Sequence, residues 1–361
     1  MNKTIIFYFM RTLAVAGIGG FLFKILYIPL PWMLGPLTSV MLWSLLTKQS
    51  MYWPLWLRNA GLIILGYMMG ISFTAETGQQ ILIHLPSMFV STTLIILFSL
   101  LLGYLVGRRT GISRSTSLIG SIPGGLSQMV VLSEEIPGSD VTVVTFMQTI
   151  RLLTVVFVIP LLAIHALAAG LEQSLINNSL NVNPLPLVGP GGSVQDWLII
   201  IAATLVSTWV AVRYNFPTPY LLGPLLGAVG LVLAGRPGPL VPNSLILAAQ
   251  LCIGTYMGLT MNIASLKAWK QLLPYTLAGS IGIVLVSLMV GYFLTCFYPI
   301  TLVTAFLSTA PGGMTEMGVT AMTVNADLSI VTAYQMFRVL FILLVVPWVL
   351  KSWLIVKSPH N

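Results

Sequence analysis

Apolar residues fall in two series of long blocks along this chain: residues 5–26, 32–47, 57–74, 87–107 and 141–168, then 197–212, 220–234, 244–262, 275–297 and 327–356. A bilayer crossing takes about 20 apolar residues in a helix, so these blocks predict membrane helices. The blocks that open with Pro-x-x-Leu-Gly-Pro-Leu, at Pro31 and Pro219, are short, which predicts tilting or half-burial within a bundle. Between the fourth and fifth block of each series lies a different segment, residues 112–135 and 300–322, rich in Gly, Ser and Thr with Pro-Gly-Gly at its middle. The apolar stretches flanking each Pro-Gly-Gly are too short to span.

Composition narrows the class. Of 361 residues, 57% are hydrophobic and 7% charged, whereas a soluble globule is about a quarter charged. That excludes a soluble enzyme, a coiled coil, a secreted disulfide domain and a DNA-binding module, since no stretch could fold in water and present a basic reading face. The net charge of +8 comes from Lys and Arg spread through short connections, a distribution that membrane topology explains better than nucleic acid does. Cys252 and Cys296 fall inside apolar blocks without metal-type spacing and read as core residues. The stretch from Met1 to Tyr27 is basic and then apolar like a signal peptide. Because Arg11 interrupts it and it has a counterpart later in the chain, it is expected to be the first helix of the fold.

That counterpart belongs to an internal repeat. Residues 31–129 match residues 219–317 at an offset of about 188, aligning Pro31-Trp32-Met33-Leu34-Gly35-Pro36-Leu37 with Pro219-Tyr220-Leu221-Leu222-Gly223-Pro224-Leu225. In the same register Gly66 and Gly70 match Gly254 and Gly258, and Pro123-Gly124-Gly125 matches Pro311-Gly312-Gly313. One residue is then lost, and at offset 187 Asp140 matches Asp327, Gln148 matches Gln335, Arg151 matches Arg338 and Pro160 matches Pro347.

The charges decide how the copies lie. If each Pro-Gly-Gly segment re-enters the membrane, each copy has an odd number of crossings, five, and the copies lie upside down relative to each other. With the N-terminus in the cytoplasm, Lys3, Lys48, Arg58, Arg108, Arg109, Arg114, Arg213, Lys267, Lys270, Lys351 and Lys357 then fall inside, and only Lys24 and Arg236 outside. A segment that crossed would instead export Lys267 and Lys270. The expected fold is therefore an all-α polytopic membrane protein of two inverted repeats of five transmembrane helices, each with a re-entrant or broken Pro-Gly-Gly segment. Residues 1–170 form the first repeat, 171–195 a periplasmic linker and 196–361 the second, in a bacterial inner membrane with both termini cytoplasmic.

Pro-Gly-Gly at mid-membrane removes one backbone donor and adds two residues free in φ. Unpaired backbone there is tolerated only where protein or a wet cavity surrounds it, and paired broken segments in inverted repeats are the usual place of a transport site. The candidate substrate-binding residues are therefore Pro123, Gly124, Gly125, Ser127 and Gln128 at the first break and Pro311, Gly312, Gly313, Thr315 and Glu316 at the second. An ionisable group at membrane depth is unfavourable, so Glu316 requires a partner, a proton or a ligand; it is a candidate proton carrier or cation ligand, or else it sits in a wet vestibule. Gln148 with Arg151, and Gln335 with Arg338, share a helix face at i and i+3. Each Arg is either a clamp on broken-helix carbonyls or a ligand for an anionic substrate. Asp140 and Asp327 start those helices, where a carboxylate caps free N–H groups. Gly66 with Gly70 and Gly254 with Gly258 read as seams for close helix approach. His84, His165 and His360 lie scattered at or near predicted loops or the terminus. With no metal-ligand cluster, no Walker motif and no catalytic-triad spacing, no metal, no cofactor and no catalytic residue are expected.

Two copies of Pro-x-x-Leu-Gly-Pro-Leu, each followed by Pro-Gly-Gly with Ser-Gln-Met or Thr-Glu-Met and then Gln-x-x-Arg, resemble the AbrB-type duplicated membrane protein family over essentially the whole chain. Members carry the labels AbrB regulator and ammonia monooxygenase. Nothing in the sequence resembles the soluble DNA-binding regulator of the same name, and no copper ligand set suits a monooxygenase. The family is similar in turn to the cation:proton antiporter and anion transporter superfamily, whose inverted repeats cross broken segments at the substrate site. The resemblance implies a secondary transporter of a small polar or ionic solute or, alternatively, a membrane-embedded regulator or sensor that affects gene expression indirectly. Expected partners are membrane lipid and a small-molecule or ion substrate, with no nucleic acid bound directly; a homodimer is compatible with the pattern.

A cysteine placed at Ser179 in the linker, in a background lacking Cys252 and Cys296, is expected to react with an impermeant maleimide in intact cells. Labelling only after permeabilisation would sink the inverted arrangement.

Overall fold

The computed structural model describes residues 3–47, 49–73, 75–167, 194–216, 218–236, 238–260 and 269–355. The expected linker 171–195 therefore lies, up to residue 193 and including Ser179, outside the described residues, as do Lys267 and His360. All described elements are helical, with no strand among the described residues. In chain order they are α1 (Lys3–Ile25), α2 (Pro31–Thr47), α3 (Leu55–Ile71), α4 (Ala75–Thr110), α5 (Arg114–Ser121), α6 (Leu126–Glu135) and α7 (Val141–Leu161), which widens into a π turn (Leu162–Leu167) just after Pro160. There follow α8 (Val194–Arg213), α9 (Pro219–Leu233), α10 (Asn243–Thr260), α11 (Trp269–Phe297), α12 (Leu302–Thr309), α13 (Met314–Thr323), α14 (Leu328–Leu344) and α15 (Val346–Ile355).

Among the described residues five spans are long and apolar enough to cross a bilayer: Thr4–Ile25, Ile81–Thr110, Val141–His165, Lys270–Phe297 and Leu328–Leu350. The helices that open with Pro-x-x-Leu-Gly-Pro-Leu are shorter: α9 has 15 residues. At about 1.5 Å rise per residue it falls short of a hydrocarbon core about 30 Å thick. The last apolar block, read as one helix, is two, because Pro347 has no N–H to give to the preceding turn and stands in the first turn of α15. Large apolar side chains line the exposed surface, among them Phe7, Phe21, Leu97, Trp209 and Leu285. A soluble monomer buries such patches; this is the surface of a membrane protein.

Packing divides the chain into two compact units, each drawing on both halves of the sequence. One holds Met1–Leu82, Ile164–Met261 and Gly318–Ser329; the other holds Ile83–Ala163, Asn262–Met317 and Ile330–Asn361. In the first unit, glycines let helices touch through their backbones. A Cβ on Gly66 or Gly70 of α3 would run into the Leu221 or Leu225 carbonyl of α9, and one on Gly254 or Gly258 of α10 into the Met33 or Leu37 carbonyl of α2. The two seams map onto each other at the offset of 188. Left-handed backbone repeats in the same way: Tyr27 and Leu30, at φ 53 and 50, correspond to Asn215 and Thr218, at φ 51 and 47. Thr218 is β-branched and strained there, held as the N-cap of α9 immediately before Pro219.

The second unit contains both Pro-Gly-Gly breaks. The short helix before each break starts with a hydroxyl cap: Ser113 accepts from the Thr116 N–H at 3.3 Å and Thr301 from the Thr304 N–H at 3.2 Å. Gly103 of α4 lies beneath Ser117 and Ser121 of α5, and its counterpart Gly291 of α11 lies against Phe306 of α12. Asp140 caps α7 by accepting from the Thr142 and Val143 N–H groups at 2.8 and 3.2 Å. In the first unit Asp327 accepts from the Ser329 N–H at 3.0 Å in the same capping geometry.

Gly66→Ala is expected to lower stability by about 1–3 kcal/mol, since the new methyl must push two backbones apart. Gly17→Ala, whose Cβ would meet nothing within 4 Å, should be neutral or stabilising by about 0.5–1 kcal/mol. Thermal melting of the two variants in detergent separates the cases; equal shifts would mean that α3 and α9 do not approach so closely.

Candidate functional site

Each break has a local cause. The residue before a proline is pushed out of the helical region, and Ile122 (ψ 131) and Ala310 (ψ 133) end α5 and α12 in that way. The Gly124 N–H then donates to the Ile122 carbonyl at 2.7 Å and the Gly312 N–H to the Ala310 carbonyl at 2.9 Å, a tight turn around each proline. Gly125 is the N-cap of α6, and Gly313 stands just ahead of α13. The second glycine position of the second break leaves no room for a side chain, because a Cβ on Gly313 would strike the Glu316 carboxylate.

A helix that stops leaves its last carbonyls without partners, and in an apolar medium each one left bare costs several kcal/mol. Gln148 and Arg151 of α7 supply donors at the first break. Gln148 Nε2 lies 3.1, 3.0 and 3.0 Å from the carbonyl oxygens of Ile119, Gly120 and Ile122. Arg151 donates from Nη1 to the Ile122 carbonyl and from Nη2 to the Gly124 carbonyl, the latter at 3.1 Å. Gln335 and Arg338 of α14 do the same at the second. Gln335 Nε2 lies 2.7, 3.4 and 3.1 Å from the carbonyls of Leu307, Ser308 and Ala310. Arg338 donates to the Ala310 and Gly312 carbonyls and, at 2.6 Å, to Gln335 Oε1. Corresponding donors thus reach corresponding acceptors in both copies. A guanidinium at the end of α5 and of α12 also meets the negative pole of the helix dipole.

Of the two roles open to these arginines in the sequence, the clamp is the geometry observed. The charges are buried: Arg151 is 7%, Arg338 4% and Glu316 5% exposed. Glu316 stands three residues into α13 after Gly313, with its carboxylate hydrogen-bonded by the Thr315 hydroxyl and by its own backbone N–H, and near enough to Arg338 for the two charges to interact. Arg151 and Arg338 are close enough to feel each other's charge. The structure therefore gathers Pro123, Gly124, Gln148 and Arg151 at one break and Pro311, Gly312, Gly313, Thr315, Glu316, Gln335 and Arg338 at the other, within one unit. Pro123 and Pro311 are buried, Gly124 and Gly312 half-buried, and Gly125 and Gly313 exposed. Ser127 and Gln128 lie on α6, but their side chains are outside the described residues.

The copies differ around this shared clamp. A cavity of about 20 Å³ beside Arg151, lined also by Ser121, Met147, Thr276 and Ser280, has room for one water. In the second copy the positions of Met147 and Thr276 are taken by Tyr334 and Met88, both fully buried. Sequence reasoning missed a further polar cluster here. His84 is buried in α4 and not near a loop, its Nδ1 3.1 Å from the Tyr334 hydroxyl, which lies 2.6 Å from Ser87 Oγ, while the Tyr298 ring packs on the imidazole at 4.2 Å between centroids. The available signal was Tyr334 standing next to Gln335, with His84 and Ser87 one helical turn apart. Among the described residues no three His, Cys, Asp or Glu side chains come together as a metal site.

Comparison with known proteins agrees over the same span. A family profile described as transition state regulatory protein AbrB matches residues 32–354. A protein of Bacillus subtilis (strain 168) named "Uncharacterized protein YhjN" is 26% identical over 364 residues, covering 93% of this chain and 90% of its own. A protein of Escherichia coli (strain K12) named "Putative regulator AbrB" is 28% identical over 331 residues, covering 90% of each chain.

Gln148→Leu keeps volume but removes donors from the Ile119, Gly120 and Ile122 carbonyls, and is expected to lower stability by about 1–3 kcal/mol. Arg338→Lys should cost a similar amount although it keeps the charge, because one ammonium cannot reproduce the fork across Ala310, Gly312 and Gln335. Melting in detergent checks both, and a parent-like Arg338→Lys would show that charge alone, not the fork, holds the break.

Proposed function

The chain belongs to the family described as transition state regulatory protein AbrB, and from that premise and the geometry of the breaks we propose that it is a secondary transporter of a small polar or ionic solute. In this reading residues 1–170 and 196–361 are inverted repeats of five crossings each, joined by a periplasmic linker, in a bacterial inner membrane with both termini cytoplasmic. The solute is bound where the two breaks meet and is passed by alternating access. The observation that carries the reading is the duplicated break: two helix pairs interrupted at the same motif, each held by the same Gln and Arg, with both breaks in one unit. The freed carbonyls account for the Gln and Arg at each break but not for Glu316, and a buried carboxylate at membrane depth marks a solute or ion pathway. The reciprocal seams, α3 on α9 and α10 on α2, support a two-fold relation between the copies. Catalysis is no part of the reading.

The description of the family profile and the name of the Escherichia coli relative favour a second reading, a membrane-embedded regulator or sensor. There the same site binds a signal without passing it and acts on gene expression through another protein.

The test is reconstitution into proteoliposomes with a solute found by profiling deletion and overexpression cells. Gradient-driven flux supports the transporter; saturable binding without flux supports the sensor. Glu316→Gln, compared at equal amounts of reconstituted protein, is expected to keep downhill flux and lose its dependence on an imposed pH or cation gradient. An unchanged gradient response would remove Glu316 from the coupling role.

A further inference from the structure

The two breaks are alike in backbone and clamp but unlike in charge. At the second, the carboxylate of Glu316 lies over the N-terminus of α13 and beside Arg338. At the first, the same position in α6 is Gln128, a neutral residue, while Arg151 is kept and is as deeply buried as its counterpart. Among the described residues no carboxylate pairs with Arg151. The other carboxylates whose side chains are described, Glu134, Glu135, Asp140 and Asp327, are all exposed. The interior cluster therefore carries two guanidiniums against one carboxylate, and the guanidiniums repel each other. Among the described residues the Nε atoms of Arg151 and Arg338 are both buried with no hydrogen-bond partner, so the copies differ in charge and not in this atom. A buried cation of this kind is stable only when something compensates it.

The second copy displays what does so. Glu316 is a carboxylate held at a fixed place relative to a Pro-Gly-Gly turn, a helix N-terminus and an arginine, and the internal repeat reproduces each of those three in the first copy without the carboxylate. Resting on the transporter reading of this site, we infer that the first break binds the carboxylate group of a monoanionic solute, which sits between Arg151 and the N-terminus of α6 and completes there the arrangement that Glu316 makes at the second break. One added negative charge balances the cluster. The exposed Gly125 at the start of α6 leaves that end of the break open for entry. A helix N-terminus and a guanidinium are together suited to a carboxylate. A cation would have to approach two arginines, and a neutral solute would leave the charge unbalanced.

The experiment follows the melting of the purified full chain in detergent by tryptophan fluorescence, using the sodium salts of formate, acetate, lactate and pyruvate at constant ionic strength. Sodium chloride, tetramethylammonium chloride and acetamide, the neutral isostere of acetate, serve as controls. At least one carboxylate should raise the melting temperature saturably while the three controls do not. Gln128→Glu, which supplies the missing carboxylate from the chain itself, should raise the melting temperature without added salt and abolish the response. Arg151→Gln, where it folds, should weaken the response at least about 30-fold. The inference is overturned if no carboxylate stabilises the protein, if chloride or acetamide does so equally, or if Gln128→Glu responds like the parent. Its failure and that of the transporter reading are distinguishable: saturable carboxylate binding without flux in proteoliposomes removes only the transporter, whereas flux of a cation or neutral solute without carboxylate binding removes only this inference.

Discussion

Backbone carbonyls left bare in an apolar medium are the constraint from which the rest of this structure follows. A chain that stops a helix in a buried, apolar interior must find donors for the freed oxygens, because bulk water is not at hand to provide them. Here the donors come from the neighbouring long helix, at two positions three residues apart, so that one helix face carries both the amide of Gln148 or Gln335 and the guanidinium of Arg151 or Arg338. Each replaced carbonyl partner is worth about 1–3 kcal/mol, against a net stability of about 5–15 kcal/mol for a typical domain. The clamps therefore decide whether the breaks can exist at all. Given the clamps, Pro-Gly-Gly can present helix ends to the interior as fixed partial charges, an environment that ordinary side chains at that depth could not supply as cheaply.

The two units solve opposite packing problems. In the first, glycine seams bring carbonyls of one helix against the bare Cα of another, a contact with no room for adjustment. In the second, hydroxyls, amides and charges occupy the middle of the packing. The small side chains there, such as Gly103 beneath Ser121, make room for backbone that has to turn back on itself. Symmetry is strict in the clamps, the seams and the left-handed backbone, and relaxed in the side chains around the clamp. Tyr334 answers to Met147, Met88 to Thr276 and Glu316 to Gln128, so the copies have diverged in the side chains that surround the clamp and not in the clamp.

Much of this was legible in the sequence because it concerns residue types that are rare in membrane helices. Pro-Gly-Gly, Gln-x-x-Arg and the spaced glycines stand out from a background of Leu, Ile and Val, and their agreement in one register located the breaks, the seams and the capping aspartates Asp140 and Asp327. What could not be read was which helix each residue would face. Arg151 was open to two roles because a guanidinium that binds carbonyls and one that binds a ligand look the same in a string of letters. His84 was placed near a loop because the helix now seen to begin at Ala75 starts with polar residues that break the apolar block. The split of the last block at Pro347 was hidden for the converse reason, since the residues on both sides of the turn are uniformly apolar. The grouping of α1 to α3 with α8 to α10 left no trace in periodicity, because it depends on the Leu221 and Met33 carbonyls and backbone atoms carry no sequence signal.

That grouping has a consequence in time. Synthesis runs from one end, so α2 and α3 are complete long before α9 and α10, whose carbonyls and glycines they are shaped to meet. Until then Gly66 and Gly70 lack the carbonyls they are shaped to meet, although α1 and α2 can already pack through Gly19 and Gly35. The early break is in a different position: α5, α6 and α7 are made within a few dozen residues of one another, and Arg151 can close on Ile122 as soon as α7 emerges. By this order the first polar break closes before the reciprocal glycine seams, and the second break, whose α12 to α14 are made after α10, closes last.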